Sequence, residues 1–239
     1  MEMISDREHI LLAVIDRLRI VRATDAAWLA GYTDYTYCRK CLRKLCGMGL
    51  LQICRDSAGS NCYYLSGRGL VVLGKQTSHT YEVSYTTHHA LVVGQICAWL
   101  RITEGALPDE LLTDSVLRSK GDKQRHCPDI VFRGHAYEIE LNHKPFSLLE
   151  KNIWDNNNYQ QQVWVVPDNR PGIARNLNNC AQRIGVRIQT IPLAEIEKQV
   201  EAADIHKNKR DTGAWDEIES VVSMPATHSM SKYTSYFKK

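Results

Sequence analysis

The spacing of apolar residues changes along this chain, and that change limits the folds it can adopt. Near the N-terminus apolar residues recur every three or four positions, which places them on one helix face; they are Ile10, Leu11, Val14, Ile15 and Leu18. From Leu107 onward the apolar runs are short and separated by polar or turn residues, as is typical of strands. The two patterns predict an α/β (α+β) protein built from two different domains.

The N-terminal part has the capping and turn-forming residues expected of a small helical unit followed by a hairpin. A second short helix is predicted from Thr24, and a third runs from the capping residue Asp34 to about Cys46. Two strands, Leu50–Cys54 and Cys62–Leu65, flank a stretch rich in turn-forming residues. Three helices followed by a two-stranded hairpin is the order of a winged helix-turn-helix. We therefore predict such a domain over 1–75, followed by a linker over 76–87.

The third predicted helix has one apolar face and one cationic face. A DNA-reading helix needs the first to dock on its domain and the second to meet phosphates and base edges. The predicted DNA-contacting residues are Tyr35, Thr36, Arg39, Lys40, Arg43 and Lys44, with Arg55 on the hairpin. The alternative is a solvated basic helix on a protein-interaction domain.

The remaining chain is predicted to form a mixed sheet flanked by helices, over 88–201. The predicted strands cover 110–117, 129–133, 136–141, 162–166 and 186–191, and helices fall between the later ones. Residues 202–239 are polar and irregular, which predicts a flexible tail. The tail carries a small basic cluster, Lys207, Lys209 and Arg210, and a candidate short helix at 215–221.

Two carboxylates on neighbouring predicted strands form the main candidate site. In an antiparallel pair the start of one strand meets the end of the next, so Asp129 and Glu140 are expected to meet. Carboxylate oxygens suit Mg²⁺ or Mn²⁺, which assist phosphodiester hydrolysis. Lys144 or Lys151 would complete the catalytic group, and Asp114 would add a metal ligand. The alternative is an ordinary hairpin whose acids face solvent.

These residues resemble the PD-(D/E)xK nuclease motif, a restriction-endonuclease-like arrangement. Combined with the N-terminal winged helix, the chain resembles the replication-relaxation family, which includes the MOBC-class relaxases of plasmid mobilisation. The resemblance covers about residues 5–191, and includes His89 at the start of a helix and the segment Thr113–Arg118, which places Asp114 at the family's acidic position. One departure is Asn142, which stands where the motif has its lysine. Lys151 is similar to a lysine that the family places on the following helix.

The resemblance implies metal-dependent nicking of double-stranded DNA at a transfer origin. It also implies an accessory nicking protein and a conjugative coupling protein as partners. Two other functions stay open: a non-catalytic DNA-binding plasmid regulator, and a restriction or repair nuclease of the same fold. Tyr159 is either a turn residue or a nucleophile that forms a phosphotyrosine link, and His89 is either a cap or buried hydrogen-bonding residue or a catalytic group.

Composition limits the possible partners and the cellular location of the protein only coarsely. The formal net charge is +3, so bulk charge does not by itself indicate a nucleic-acid partner. No apolar stretch is long enough to span a bilayer, and the first residues do not look like a signal peptide. We therefore expect a cytoplasmic protein whose eight cysteines are reduced. Cys38 and Cys41 suggest half of a zinc site, but they fit a helix core better.

Overall fold

Helices and two β-sheets make up the described part of the protein, as the α+β prediction requires. The computed structural model describes residues 3–77, 81–84, 86–119 and 126–203. The basic cluster and the short helix predicted within the C-terminal tail lie outside these residues. Among the described residues, no helix combines the length and the apolar character needed to cross a membrane.

The N-terminal unit begins with three helices: α1 (Asp6–Leu18), α2 (Ala23–Leu29) and α3 (Tyr35–Gly47). Helix α1 starts with a reciprocal cap, since the Ser5 side chain accepts from the Glu8 amide and the Glu8 carboxylate accepts from the Ser5 amide. Thr24 was predicted to cap α2, but α2 begins at Ala23 and Arg22 occupies the cap position, two residues earlier than predicted. Asp34 caps α3 as predicted, accepting from the amides of Thr36 and Tyr37.

A three-stranded antiparallel sheet accompanies these helices, where the sequence predicted only a two-stranded hairpin. Its strands are β1 (Ile20–Arg22), β2 (Leu51–Arg55) and β3 (Asn61–Leu65), and β3 lies in the middle. The prediction missed β1 because three residues directly after a helix are too few to show alternation. The short helix α4 (Gly67–Val72) follows, with Ser66 accepting from the Gly69 amide.

Helix α5 (Thr87–Glu104) contacts elements from both parts of the chain. It packs against α2 and β1 on the N-terminal side and against strand β6 (His135–Ile139) and helix α9 (Leu193–Ala202) on the other. Arg17 at the end of α1 adds a second connection, since its guanidinium donates to the carbonyls of Pro108 and Leu111. One continuous apolar core therefore joins the two parts of the chain. The domain limits given above stay predictions.

The second sheet has five strands in sequence order. They are β4 (Leu112–Thr113), β5 (Ile130–Phe132), β6 (His135–Ile139), β7 (Gln161–Val166) and β8 (Gln189–Pro192). The first three pair antiparallel, whereas β6, β7 and β8 pair parallel, so the sheet is mixed as predicted. The predicted strand 110–117 was wrong: it contains only the two residues of β4, and helix α6 (Asp114–Ser119) begins directly after them.

Helices cover both faces of this sheet. Strands β6 and β7 present Tyr137, Ile139 and Val165 to the core that they share with α5 and α9 (Leu193–Ala202). On the opposite face, the fully buried Trp164 packs with α7 (Phe146–Asp155) and α8 (Pro171–Ile184). Because side chains alternate along a strand, Glu138 and Glu140 are on the opposite side of β6 from Tyr137 and Ile139.

Candidate functional sites

The tight turn between β5 and β6 determines which acids meet. Phe132 pairs with His135, so only Arg133 and Gly134 form the connection, and both have positive φ angles of 48° and 79°. Positive φ at both positions is the geometry of a two-residue hairpin turn with the right twist. Continuing the register from this turn places Asp129 opposite Glu138, not opposite Glu140 as the sequence suggested.

Asp129 lies just before β5 and is held from two sides. Its Oδ2 atom accepts from the Ile139 amide at 2.8 Å and lies 3.3 Å from His89 Nε2. His89 comes from the first turn of α5. Burial alone would lower the pKa of His89, but the hydrogen bond to Asp129 and its negative charge raise that pKa overall. Asp129 therefore has a cationic or hydrogen-bonding partner within the site.

Glu140 follows β6 and forms an ion pair with Lys144. The Glu140 carboxylate is almost completely buried, and its Oε2 atom lies 2.7 Å from Lys144 Nζ. Burial raises the pKa of Glu140, while the hydrogen bond and charge of Lys144 oppose this rise. Lys144 is half-buried, so its ammonium group links a buried acid to the surface.

An open pocket of about 160 Å³ lies beside this ion pair. It forms where β6 ends and α5 begins, which is the carboxyl end of the parallel part of the sheet. Its lining residues are His88, His89, Ile139, Glu140, Leu141, Asn142 and Lys144. Ligands in sheets with parallel strands commonly bind at this end.

Glu138 is a site residue that the prediction missed. It is completely buried, and its Oε1 atom contacts His126 Nε2 at 2.5 Å and accepts from Asn156 Nδ2 at 2.6 Å. Burial raises the pKa of Glu138, and the nearby charge of Asp129 raises it further. The Arg133–Gly134 turn was the available signal, since counting back from it pairs Asp129 with Glu138.

Two predicted site residues do not join the group. Lys151 is exposed on α7, whose buried residues are Leu149, Asn152 and Ile153. At about 100° per residue, Lys151 is on the side of α7 that faces away from the sheet. The Asp114 carboxylate forms an ion pair with Arg118, although the Asp114 amide donates to the Asp129 carbonyl at 3.0 Å.

The carboxylates have the chemistry of a hard-cation site but not a complete ligand set. Asp129 and Glu140 supply oxygen donors, and the Glu140 carboxylate is almost completely buried. Within the described ranges, no three His, Cys, Asp or Glu side chains converge as a metal-binding group. Mg²⁺ commonly takes one or two protein carboxylates and completes its shell with water and phosphate oxygens. The two carboxylates therefore fit that type of site.

Helix α3 presents most of its predicted DNA contacts to solvent. Cys38, Cys41, Leu42 and Leu45 form its buried face. The exposed side chains are Thr36, Arg39, Lys40 and Arg43 on α3, and Arg55 at the end of β2. Tyr35 is half-buried, and the Arg39 guanidinium lies 5.7 Å from the centre of its ring.

Lys44 differs from the other cations of α3 because it is held by an acid of α1. Its Nζ atom lies 2.9 Å from Glu8 Oε1, and Glu8 is buried. The hydrogen bonds of Glu8 to Lys44 and Ser5 lower the pKa of Glu8 although burial opposes them. Lys44 thus connects α3 to the cap of α1, which the sequence pattern alone did not predict.

Comparisons with known proteins identify no relative: no family model, no curated protein and no solved structure matches this chain.

Proposed function

We propose that this protein binds double-stranded DNA and nicks it in a metal-dependent reaction at Asp129, Glu140 and Lys144. The observation that carries the proposal is the Glu140–Lys144 ion pair, which lies in the lining of the pocket. His89 and Ile139 line the same pocket, and both contact the Asp129 carboxylate. Besides burial, the charge of Asp129 raises the pKa of Glu140, so the two acids are neighbours. Two neighbouring acids and a lysine are the minimum group that a PD-(D/E)xK-type nuclease needs.

The DNA-binding part of the proposal is supported by the order of elements around α3. Helix, strand, two helices and two strands, with β3 between β1 and β2, is the arrangement expected of a winged helix-turn-helix. In such a domain the third helix enters the major groove and the hairpin contacts the backbone beside it. The exposed cations of α3 and Arg55 are suitably placed for these two tasks.

In the proposed reaction Asp129 and Glu140 would hold Mg²⁺ or Mn²⁺. A bound divalent cation would act as a Lewis acid and neutralise the charge that develops on the phosphate. Lys144 would share its ammonium group between Glu140 and the phosphate, so its charge acts where negative charge increases. His89 would keep the Asp129 carboxylate oriented through Oδ2. The half-buried position of Lys144 suits this role because 35% of its side-chain surface is exposed.

The target and the partners are proposed from the family resemblance. Under this proposal the protein is a cytoplasmic relaxase-type enzyme that cuts one strand at the transfer origin of a plasmid or mobile element. An accessory nicking protein would help it there, and a conjugative coupling protein would receive the product.

A supercoiled-plasmid nicking assay tests the proposal, using DNA that carries the transfer region of the protein's own element. We expect open circles with Mg²⁺ or Mn²⁺ and none with EDTA. Asp129→Asn and Glu140→Gln should lose nicking but keep DNA binding, whereas Glu195→Gln, which changes an exposed acid on α9, should retain both. Cleavage that persists in EDTA, or in both active-site variants, would contradict the proposal.

A non-catalytic DNA-binding protein is the second candidate, and one observation favours it. Each acid of the group already has a protein partner: His89 for Asp129, His126 for Glu138 and Lys144 for Glu140. Such pairs would stabilise the fold without any metal. Site-specific DNA binding that is unaffected by EDTA, with no nicking even when an accessory protein is added, would favour this candidate.

A further inference from the structure

The segment that carries Lys144 is attached to the rest of the protein by contacts that the proposed reaction does not itself use. Residues 141–145 connect β6 to α7 and are not part of a helix or strand. Glu140, at the start of this segment, is fixed because its amide donates to the Val165 carbonyl at 2.9 Å. Lys144 lies four residues later, so the path of the segment determines where its ammonium group stands.

Arg170 contacts this segment from the neighbouring connection, between β7 and α8. Its Nη1 atom donates to the Leu141 carbonyl at 3.2 Å and to Asn142 Oδ1 at 2.9 Å. Both acceptors lie in the lining of the pocket beside Glu140. A charged donor that bonds two neutral acceptors forms stronger hydrogen bonds than a neutral donor would.

A second contact comes from the first turn of α8, two residues after Arg170. Gly172 lies so close to His143 that a Cβ atom at position 172 would be 3.2 Å from His143 Cε1. The His143 imidazole therefore lies close against the backbone at Gly172. Arg170 and Gly172 together contact three consecutive residues, 141–143, immediately before Lys144.

We propose that Arg170 is a positioning residue that fixes the segment 141–145 and thereby holds Lys144 against Glu140. This inference rests on the proposed function, because the position of Lys144 matters for the proposed reaction. It accounts for Asn142, which stands where the motif has a lysine: its side-chain oxygen accepts from Arg170, and Lys144 supplies the cation instead. Arg170 need not touch the DNA in this role.

The test compares Arg170→Gln, Arg170→Lys and Arg175→Gln. Arg175 is an exposed cation on α8, so its loss controls for charge alone. For Arg170→Gln we expect the single-turnover nicking rate at saturating DNA to fall roughly tenfold, the size expected from losing charged hydrogen bonds. The Kd for DNA should change less than about twofold, and Arg170→Lys should recover part of the rate. Hydrogen exchange of the peptide covering 140–145 should accelerate in Arg170→Gln and not in Arg175→Gln.

The outcomes separate this inference from the proposed function. Unchanged hydrogen exchange, or a slower rate equalled by Arg175→Gln, would overturn the positioning role. A raised Kd with an unchanged saturating rate would overturn it too, since Arg170 would then bind DNA directly. If the wild type never nicks DNA but hydrogen exchange is still faster in Arg170→Gln, the proposed reaction and the part of Arg170 in it would be overturned. The contact between Arg170 and residues 141–142 would still be supported.

Discussion

Asp25 offers a quantitative test of how the two parts of the chain are packed together. It lies on α2, which packs against α5, and its carboxylate is completely buried, with Oδ2 lacking a hydrogen-bond partner among the described residues. Burial raises the pKa of Asp25 from 3.8 to about 7, although the charge of Arg22 opposes this rise. We expect Asp25→Asn to remove a pH dependence of stability that the wild type shows.

The sign and size follow from proton linkage. The folded state binds the Asp25 proton more tightly than the unfolded state, so the free energy of unfolding falls as pH rises from about 4 through about 7. A pKa difference of about three units corresponds to about 4 kcal/mol in total. About 2.5 kcal/mol of this should be lost between pH 5 and pH 8.

Urea unfolding of the wild type and of Asp25→Asn at pH 5 and pH 8 measures this contribution. The variant's free energy of unfolding should rise relative to the wild type by about 2.5 kcal/mol between the two pH values. Any pH-independent effect of the new amide on the free energy of unfolding cancels, because it is the same at both pH values. Glu82→Gln, which changes an exposed acid, should give no such difference. Parallel pH profiles for the wild type and Asp25→Asn would refute the reasoning, because the carboxyl would then not be desolvated.

Two further predictions concern the N-terminal unit. Gly69→Ala should destabilise the protein by more than about 2 kcal/mol in urea unfolding, because the new Cβ atom would lie 2.2 Å from the Leu50 carbonyl oxygen. Gly47→Ala, where nothing lies within 4 Å, should be neutral or stabilising, and equal effects of the two changes would contradict this account. Arg43→Met should lower DNA affinity and reduce the slope of log affinity against log salt by about one. Lys44→Met should affect that slope less because Glu8 holds Lys44, and an equal slope change in both variants would contradict that assignment.

Local sequence patterns predicted the elements well where a signal was strong. The cap at Asp34 and the apolar face of α3 were visible because both depend on residues within a few positions. The mixed sheet followed from strands separated by helices. Asp114 was misplaced because a two-residue strand that leads directly into a helix shows no clear periodicity.

The candidate site was harder to predict because it depends on register and on which helix face docks. Strand alternation placed Glu138 and Glu140 on one side of β6, but only the two-residue turn at Arg133 decides which of them faces Asp129. For α7, the apolar residues did not determine which side would meet the sheet, so Lys151 remained a candidate. These choices are made by tertiary packing, which single-sequence patterns do not contain.

A matched pair of lysine variants tests most directly whether Lys144 acts in the proposed nicking reaction. Lys144→Met and Lys151→Met would be compared in the single-turnover nicking assay with Mg²⁺, with DNA affinity measured in parallel. We expect Lys144→Met to lower the rate about a hundredfold or more, the size expected from losing a transition-state charge contact. Lys151→Met should stay within about threefold of the wild type because Lys151 faces away from the sheet. Loss of nicking in Lys151→Met with full activity in Lys144→Met would contradict the account.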